Sequence, residues 1–545
     1  MTKPNSKLLK AKPSSSLKNY NNFLGHKRTL SFQCFLTENF NNLPLQLTLM
    51  THSAQDLAVF CRKKGFMYSS SEIYGGLAGL YDYGHLGTKL KHNFENLWRN
   101  YFLSLDDNYF EIEAANIMHE NVFKASGHLE NFIDPIVSCP RCDFSERADH
   151  FVQAKTKTRA EGLSPEQLTK LIEKNNLLCP KCGAKLKQVS VMNMMFPVNL
   201  GTGRGNRAYL RPETAQSPFV NFKLQYELQR KKLPLGLAVI GKAYRNEISP
   251  RNFVLRQREF TQAELQIFFN PAKLNEHKYF DLVKNYKVRT LLVKDRNGNQ
   301  EQVVEHTAQE LVSQGLPQFY VYHLVKIQQF YLDVLKIPKE KLRFYELDEK
   351  ERAFYNKYHF DIEIELQEFG YTEVGGVHYR TDHDLKGHER VSGQKMEIFD
   401  EESASKFIPH VLELSFGVDR NTYALLDLNF DDDKARGNIV LHLSSSLAPF
   451  FCAVFPLVKN KPEITAKAEE VYSLVQKQFP CFYDEAASVG RRYARADEIG
   501  VRYCITVDFE SLEDNAVTLR DRDTTQQERV KITKLLERLS ELSSD

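Results

Sequence analysis

Between Leu255 and Ile267 the chain reads Leu-Arg-Gln-Arg-Glu-Phe-Thr-Gln-Ala-Glu-Leu-Gln-Ile, with a two-residue period. Extended backbone sends successive side chains to opposite faces. Arg256, Arg258, Phe260, Gln262, Glu264 and Gln266 therefore share one face, and Ala263, Leu265 and Ile267 take the other. The segment demands a sheet with one face in a core and one face offering cations, an aromatic ring and a carboxylate to something polar. A solvated sheet face commonly shows such alternation. Two neighbouring segments argue for a site instead.

The first is Arg245-Asn246-Glu247, which continues the apolar run Leu237-Ala-Val-Ile240. Read as a strand, it puts Arg245 and Glu247 on one face, and Ser249-Pro250-Arg251-Asn252 then opens a turn back toward Leu255. The second is Val411-Leu-Glu-Leu-Ser-Phe-Gly-Val-Asp-Arg420. Here Leu412, Leu414 and Phe416 alternate as a core face, while Glu413 and Ser415 point the other way. Gly417 allows close backbone approach, and a helical pattern through Tyr423, Leu425 and Leu426 follows. Arg420 then falls in the first helical turn, where the macrodipole disfavours a cation. A nearby anion would compensate, and a nucleotide phosphate is a candidate.

Two further cysteine pairs stand out, Cys139-Pro-Arg-Cys142 and Cys179-Pro-Lys-Cys182. Two intervening residues let both thiolates bend toward one ion, and two such knuckles complete a tetrahedral Zn²⁺ site. Four ordinary reduced cysteines are the alternative. Between the knuckles, Ser164-Pro165-Glu166-Gln167 predicts a capped helix running through Ile172. The zinc would be structural, since four thiolates leave no open position for a substrate.

The chain of 545 residues is long enough for three to four domains. Its nine cysteines are odd in number and mostly scattered, which suits a reducing compartment and a cytoplasmic location. The longest apolar run, Phe450 to Val458, is interrupted by Pro456 and far too short to span a bilayer, so no membrane partner is expected. Residues 1–49 carry seven Lys/Arg against one acid, Glu38, a net +6, leaving −3 for the rest against a total of +3. Three readings compete for this segment: a basic, disordered extension, a targeting peptide, or sequence preceding a true start at Met50.

At these residues the sequence resembles the class II aminoacyl-tRNA synthetases, and specifically the homodimeric glycyl type. Arg245-Asn246-Glu247 matches motif 2 and Gly417-Val418-Asp419-Arg420 matches motif 3. Glycyl-type stretches lie at Gly79–Gly84, Lys124–His128, Arg211–Gln216 and Arg380–Leu385. The chain departs from the family pattern at His85, Tyr371, Leu414 and Phe451, none of which removes a charged group expected in the site.

The resemblance implies an α+β catalytic domain built on a class II antiparallel sheet with helices, over residues 50–436. It would carry a zinc-knuckle-like insertion at 139–182 and a second, largely helical or mixed insertion at 270–345. A C-terminal α/β anticodon-binding domain would fill 437–545. The implied reaction joins glycine and ATP into glycyl-adenylate, with Mg²⁺, and then transfers glycine to the 3′ end of tRNA(Gly). Alignment and charge stabilisation would carry the catalysis, with Arg245, Glu247 and Arg420 as the catalytic set. Arg245 would bridge the glycine carboxylate and the α-phosphate. Arg256 and Arg420 would grip the triphosphate, Phe260 would stack on adenine, and Glu247 would meet its edge. Asn246, Leu255, Gln257, Arg258, Glu259, Glu373, Val374, Gly417, Val418 and Asp419 complete the implied ATP set.

Glycine has no side chain to recognise, so a site must hold its ammonium and fill the space a Cβ would take. Glu213, Glu264, Glu413 and Ser415 match the family's glycine positions. Phe260, Thr261, Gln262, Ala263, Leu414, Phe416 and Gly417 lie along the same runs, and Arg147 is a further contact. In the C-terminal domain Arg491, Arg492, Tyr493 and Arg495 form a basic patch with an aromatic, suited to phosphate contact and base stacking on tRNA. Here the expected strands are Ile439–Leu441, Val501–Asp508 and Ala516–Arg520, with helices from Ile464 to Gln478 and over a last segment that carries Val530, Ile532, Leu535, Leu536 and Leu539 inward.

A synthetase for histidine, threonine or proline is the rival within the class. A catalytically inactive, nucleic-acid-binding accessory subunit is the rival outside enzymes. The class I elements His-x-Gly-His and Lys-Met-Ser-Lys-Ser are missing from the sequence.

Overall fold

The computed structural model describes residues 52–543, apart from 159, 161, 202–206, 298–299 and 354. The basic segment 1–49 lies outside the described residues.

The centre of the molecule is a nine-stranded sheet. In chain order its strands are β1 (Tyr109–Glu111), β2 (Leu235–Tyr244), β3 (Glu259–Phe269), β4 (Lys287–Leu291), β5 (Val304–Thr307), β6 (Leu342–Glu346), β7 (Tyr358–Leu366), β8 (Gly370–Thr381) and β9 (His410–Gly417). They are arranged β5-β4-β6-β7-β8-β9-β3-β2-β1. All pairings are antiparallel except β2 with β1 and β4 with β6. The segment 270–345 therefore contributes β4, β5 and β6 to the main sheet, beside the helix Gln318–Gln329.

One face of this sheet packs on helices. Leu265, Ile267, Leu412, Leu414 and Phe416 all lie in the same core as the helix His85–Phe102, whose Leu86, Leu90, Phe94, Trp98 and Phe102 recur every four residues as one stripe. Trp98 meets Phe416 edge-on with ring centroids 5.9 Å apart. Each such fully buried side chain contributes about 1.5–3 kcal/mol, which holds the strands flat against the helix and turns the alternate residues outward.

The helix Pro165–Lys174 forms where its capping box predicts, with Ser164 and Gln167 bonding each other's backbone N–H. A second helix, Ala148–Thr156, also lies between the two knuckles, and both contribute to one small core.

The C-terminal domain is a five-stranded sheet of β10 (Cys452–Pro456), β11 (Cys481–Tyr483), β12 (Tyr503–Val507), β13 (Ala516–Asp521) and β14 (Gln527–Lys531), in the order β11-β10-β12-β13-β14. Helices Pro462–Val475 and Ile532–Ser543 pack on one face and Val489–Glu498 on the other. Val530 belongs to β14, not to the last helix as the apolar spacing suggests. Its burial comes from pairing with Val517. Strand Asn438–Leu441 pairs with Phe430–Asp433 in a hairpin between the two sheets.

Arg522, fully buried, secures this hairpin. Its Nη1 donates to the carbonyls of Leu441, Leu443 and Gly500 at 2.9, 3.0 and 2.9 Å. Arg436 Nη1 donates to the carbonyl of Arg522 itself at 2.8 Å. Lys64 pairs with Glu498 at 2.5 Å across the same junction.

Candidate active site

Register places the polar face in rows. Gln266 on β3 stands opposite Glu413 on β9, Glu413 opposite His378 on β8, and His378 opposite His359 on β7. The next row runs Glu264, Ser415, Gly376, Asp361. Strand alternation alone brings these eight residues to one face.

Three buried carboxylates face one another here, in different surroundings. Glu413 accepts from Gln266 Nε2 at 2.6 Å, His378 Nδ1 at 2.5 Å and Arg380 Nη1 at 3.1 Å. Burial raises its pKa, but Arg380 and His378 outweigh burial and hold it down to about 2. Glu213 accepts from Gln216 Nε2 at 2.8 Å and lies 3.6 Å from Arg380 and 3.7 Å from His128. Against the effect of burial, the Arg380 guanidinium, with His128 beside it, holds it well below the usual carboxylate range. Glu264 is met by hydroxyls rather than a guanidinium: Thr214 Oγ1 at 2.6 Å and Ser415 Oγ at 2.7 Å. Burial, followed by the charges of Glu413 and Glu213, pushes it up to about 7. A buried acid in need of a positive charge suits a small ammonium. The side-chain oxygen Oε1 of Gln262 is buried and has no hydrogen-bond partner among the described residues.

Beside these acids a cleft of about 270 Å³ is lined by Arg245, Glu247, Arg256, Phe260, Glu373 and Arg420, among others. The Arg245 guanidinium lies between rings, 5.5 Å from Phe132 and 5.3 Å from Phe260, and its Nε donates to the carbonyl of Pro212 at 3.1 Å. Arg256 pairs with Glu247 at 2.6 Å. Arg420 is in the first turn of the helix Val418–Asn429, as the sequence predicts, and Glu373 supplies the compensating anion at 2.9 Å. Asp419 accepts from Thr261 N and Tyr83 Oη, both at 2.5 Å, tying motif 3 to β3 and to the Gly79–Gly84 stretch.

Several expected positions are placed differently. Strand β2 ends at Tyr244 and β3 begins at Glu259, so Arg245–Glu247 and Arg256–Arg258 are loop residues beyond the strand ends. Ala263, Val374, Leu414, Phe416 and Val418 turn their side chains into the core: Ala263, Leu414 and Phe416 have the opposite parity to the polar rows, Val374 sits where the β7–β8 register shifts, and Val418 opens the helix Val418–Asn429. They can offer only backbone to a ligand. Glu259 pairs with Lys242 at 3.2 Å. Arg258 donates to the carbonyls of Glu247 and Ala78, and Gln257 to that of Val254. Asn246 faces a separate, larger cleft of about 1130 Å³. Arg147 binds Asp149 at 2.8 Å. At Gly417 φ is −77°, and an added Cβ would meet only ordinary contacts at 3.4 Å, so the chain itself has no need of glycine there.

Arg492 is a correction. It is 1% exposed, and its guanidinium donates to the carbonyls of Pro456, Leu457, Asp484 and Ala487. That removes it from any nucleic-acid-facing set. Arg491 is exposed on the same helix, Tyr493 is half-buried with its hydroxyl on Thr506, and Arg495 pairs with Asp484 at 2.5 Å.

The residue that sequence reasoning missed is Arg380. Its Nε and Nη2 bind Asp384 at 2.8 and 3.0 Å while Nη1 holds Glu413, so one guanidinium organises the acids. Gln216 joins Glu213 to Asp384 and His388. Arg380 and Asp384 both lie in the Arg380–Leu385 stretch, but Arg380 is near the end of β8 and Asp384 on the helix His383–Ser392 that follows, so no single period in the sequence announces the pair.

The four knuckle sulfurs converge. Cys139 and Cys182 are 3.5 Å apart, as are Cys142 and Cys179, and all four lie within 4.8 Å of one another. Tetrahedral Zn–S bonds of about 2.3 Å require sulfur–sulfur edges of about 3.8 Å, so the donor set and its size fit zinc.

Comparison with known proteins agrees with this architecture. Residues 201–429 match the family described as tRNA synthetase class II core domain (G, H, P, S and T). Residues 452–542 match the anticodon binding domain. The glycine–tRNA ligase of Pyrococcus furiosus is 39% identical, covering 88% of this chain and 97% of its own. That of Thermococcus sibiricus is 38% identical over 91% and 100%, and that of Methanocaldococcus jannaschii 36% over 88% and 97%. Among solved structures, the RNA binding domain of threonyl-tRNA synthetase from Cryptosporidium parvum shares the fold, with a TM-score of 0.56 at 17% identity over 89% of this chain and 98% of that one.

Proposed function

The chain belongs to the glycine–tRNA ligases, class II aminoacyl-tRNA synthetases, and from that premise we propose how its residues divide the work. The enzyme activates glycine with ATP and ligates it to tRNA. Our assignment puts the glycine ammonium against Glu264, within the acids that Arg380 organises. The single observation that carries it is that Glu264, alone of the three facing glutamates, meets only hydroxyls.

Arg245 stands at the junction of the acid pocket and the cleft, held between two rings. There it would bridge the glycine carboxylate and the ATP α-phosphate, neutralising charge that develops on phosphorus. Phe260 would stack on adenine. Arg256 and Arg420 are each paired with a carboxylate, Glu247 and Glu373. Exchange of those partners for phosphate oxygens would free Glu247 for the adenine edge. Mg²⁺ would arrive with the ATP phosphates. Discrimination against alanine would come from the crowding of Thr214, Ser415 and Glu264 where a Cβ must go, with no editing step required.

Zinc at Cys139, Cys142, Cys179 and Cys182 would tie the insertion together. A homodimer is supported by an apolar stripe on the helix Gln216–Leu228, where Val220, Leu224 and Leu228 recur every four residues and stay exposed. Arg491, exposed on its helix, would face tRNA. The odd number of mostly scattered cysteines suits a reducing cytoplasm.

ATP–pyrophosphate exchange across all twenty amino acids tests the reading. Glycine alone should support exchange; an equal response to histidine, threonine or proline, or none to any, would overturn it.

A further inference from the structure

The polar row across β3, β9, β8 and β7 extends past the acids that face the proposed substrate. Beyond Glu413 come two histidines, edge to face with centroids 4.2 Å apart. Their hydrogen bonds form a chain that ends at Asp361. His378 Nδ1 meets Glu413 Oε1 at 2.5 Å, His378 Nε2 meets His359 Nε2 at 2.9 Å, and His359 Nε2 meets Asp361 Oδ1 at 3.0 Å.

The proton positions follow from the ends. Asp361 Oδ1, a carboxylate oxygen that accepts, faces His359 Nε2 at 3.0 Å, so His359 Nε2 carries the hydrogen and Nδ1, beside the Asn356 amide at 3.4 Å, is the acceptor. That N–H points at the Asp361 carboxylate and at His378 Nε2. His378 Nε2 is then the bare nitrogen, and Nδ1–H is left to donate to Glu413. Gly376, in the neighbouring row, makes room for this arrangement. A Cβ at Gly376 would stand 2.5 Å from His378 Nε2, closer than any side chain tolerates.

We propose that His378 is a positioning residue for glycine, pinning the Glu413 carboxylate on the pocket face, and that His359, Asp361 and the missing side chain at Gly376 hold His378 in the tautomer and place that this requires. The inference rests on the reading that Glu413 faces the substrate. The residues act through Glu413 and none needs to touch the reacting atoms. Gln266 binds the other oxygen, Oε2, and Arg380 Nη1 spans both, at 3.1 Å to Oε2 and 3.3 Å to Oε1, so the short contact to Oε1, at 2.5 Å, is that of His378.

Steady-state kinetics of pyrophosphate exchange with the full chain tests it. Loss of a hydrogen bond to a charged group predicts a rise in glycine KM of about tenfold or more for His378→Ala, with ATP KM changed less than about twofold. His378→Asn returns a donor near the Nδ1 position and should recover glycine KM to within about threefold of the native value. Gly376→Ala should reproduce the His378→Ala defect without removing any polar group. An unchanged glycine KM in His378→Ala, or equal losses toward ATP and glycine with no rescue by asparagine, overturns the proposal. Glu413→Gln separates the two layers. If it leaves glycine KM unchanged, the reading of Glu413 itself has failed; if it raises KM while His378→Ala does not, only the role of His378 has.

Discussion

Glu264 and Glu413 share one face of adjacent strands, two rows of a single sheet, and are driven in opposite directions. Glu413, with a guanidinium and an imidazole, stays ionised, while Glu264, with two hydroxyls, is pushed up to about 7 by burial and by its acidic neighbours. The pocket thus keeps one carboxylate short of a counter-charge.

That shortfall predicts opposite effects of one substitution. A carboxyl whose folded pKa exceeds its unfolded value binds more protons when folded, so stability falls as pH rises from about 4.5 through 7. Glu264→Gln should raise Tm at pH 8, with the gain shrinking toward pH 5, while glycine-dependent exchange is lost. Wild-type glycine KM should also rise as pH drops below about 7, because a neutral carboxyl does not attract an ammonium. A Tm gain that is the same at both pH values would count against it.

Arg245 should be worth about a hundredfold or more in glycine-dependent exchange, the usual scale for a group that stabilises transition-state charge. Arg245→Ala should keep its far-ultraviolet circular dichroism and Tm within a few degrees, since among the described residues the side chain makes a single hydrogen bond, to the carbonyl of Pro212. Exchange within a few-fold of the native rate would remove Arg245 from its role.

The knuckle should hold about one zinc per chain by elemental analysis. Cys182→Ser, the most exposed of the four ligands, should lower that content and expose the bonds after Lys155 to Lys187 to trypsin, leaving the main sheet resistant. Full zinc content in that variant would mean the sulfurs are not the ligands.

Two adjacent arginines should separate cleanly. Arg492→Ala leaves several buried carbonyls without a donor and should cost about 3 kcal/mol or more in stability. Arg491→Ala should leave Tm alone and weaken tRNA affinity, with a shallower salt dependence. Equal tRNA defects at unchanged stability would return Arg492 to the surface set.

Alternation was enough to assign Glu264, Gln266, Glu413 and Ser415 to a common face, because a two-residue period survives whatever the strands pair with. Strand ends were not legible at Arg245 and Arg256, since a loop and a strand of the same composition look alike. Nor was the burial of Arg492 visible, because a cation that caps carbonyls reads in sequence as any other surface arginine. Arg380 was hidden for a related reason. Its partners Glu213 and Glu413 are 167 and 33 residues away in the chain: the β8–β9 pairing brings it to Glu413, and Glu213 comes from the segment that leads into the helix Gln216–Leu228.

The buried Arg522 of the C-terminal domain joins the carbonyl of Leu441, at the end of the hairpin that links the two sheets, to those of Leu443, just beyond it, and Gly500. A junction fastened in this way works as a ruler rather than a tether. If the C-terminal sheet and the acid pocket both hold the tRNA, as proposed, the span between them is set by the protein, and the substrate is selected for its length as well as for its letters.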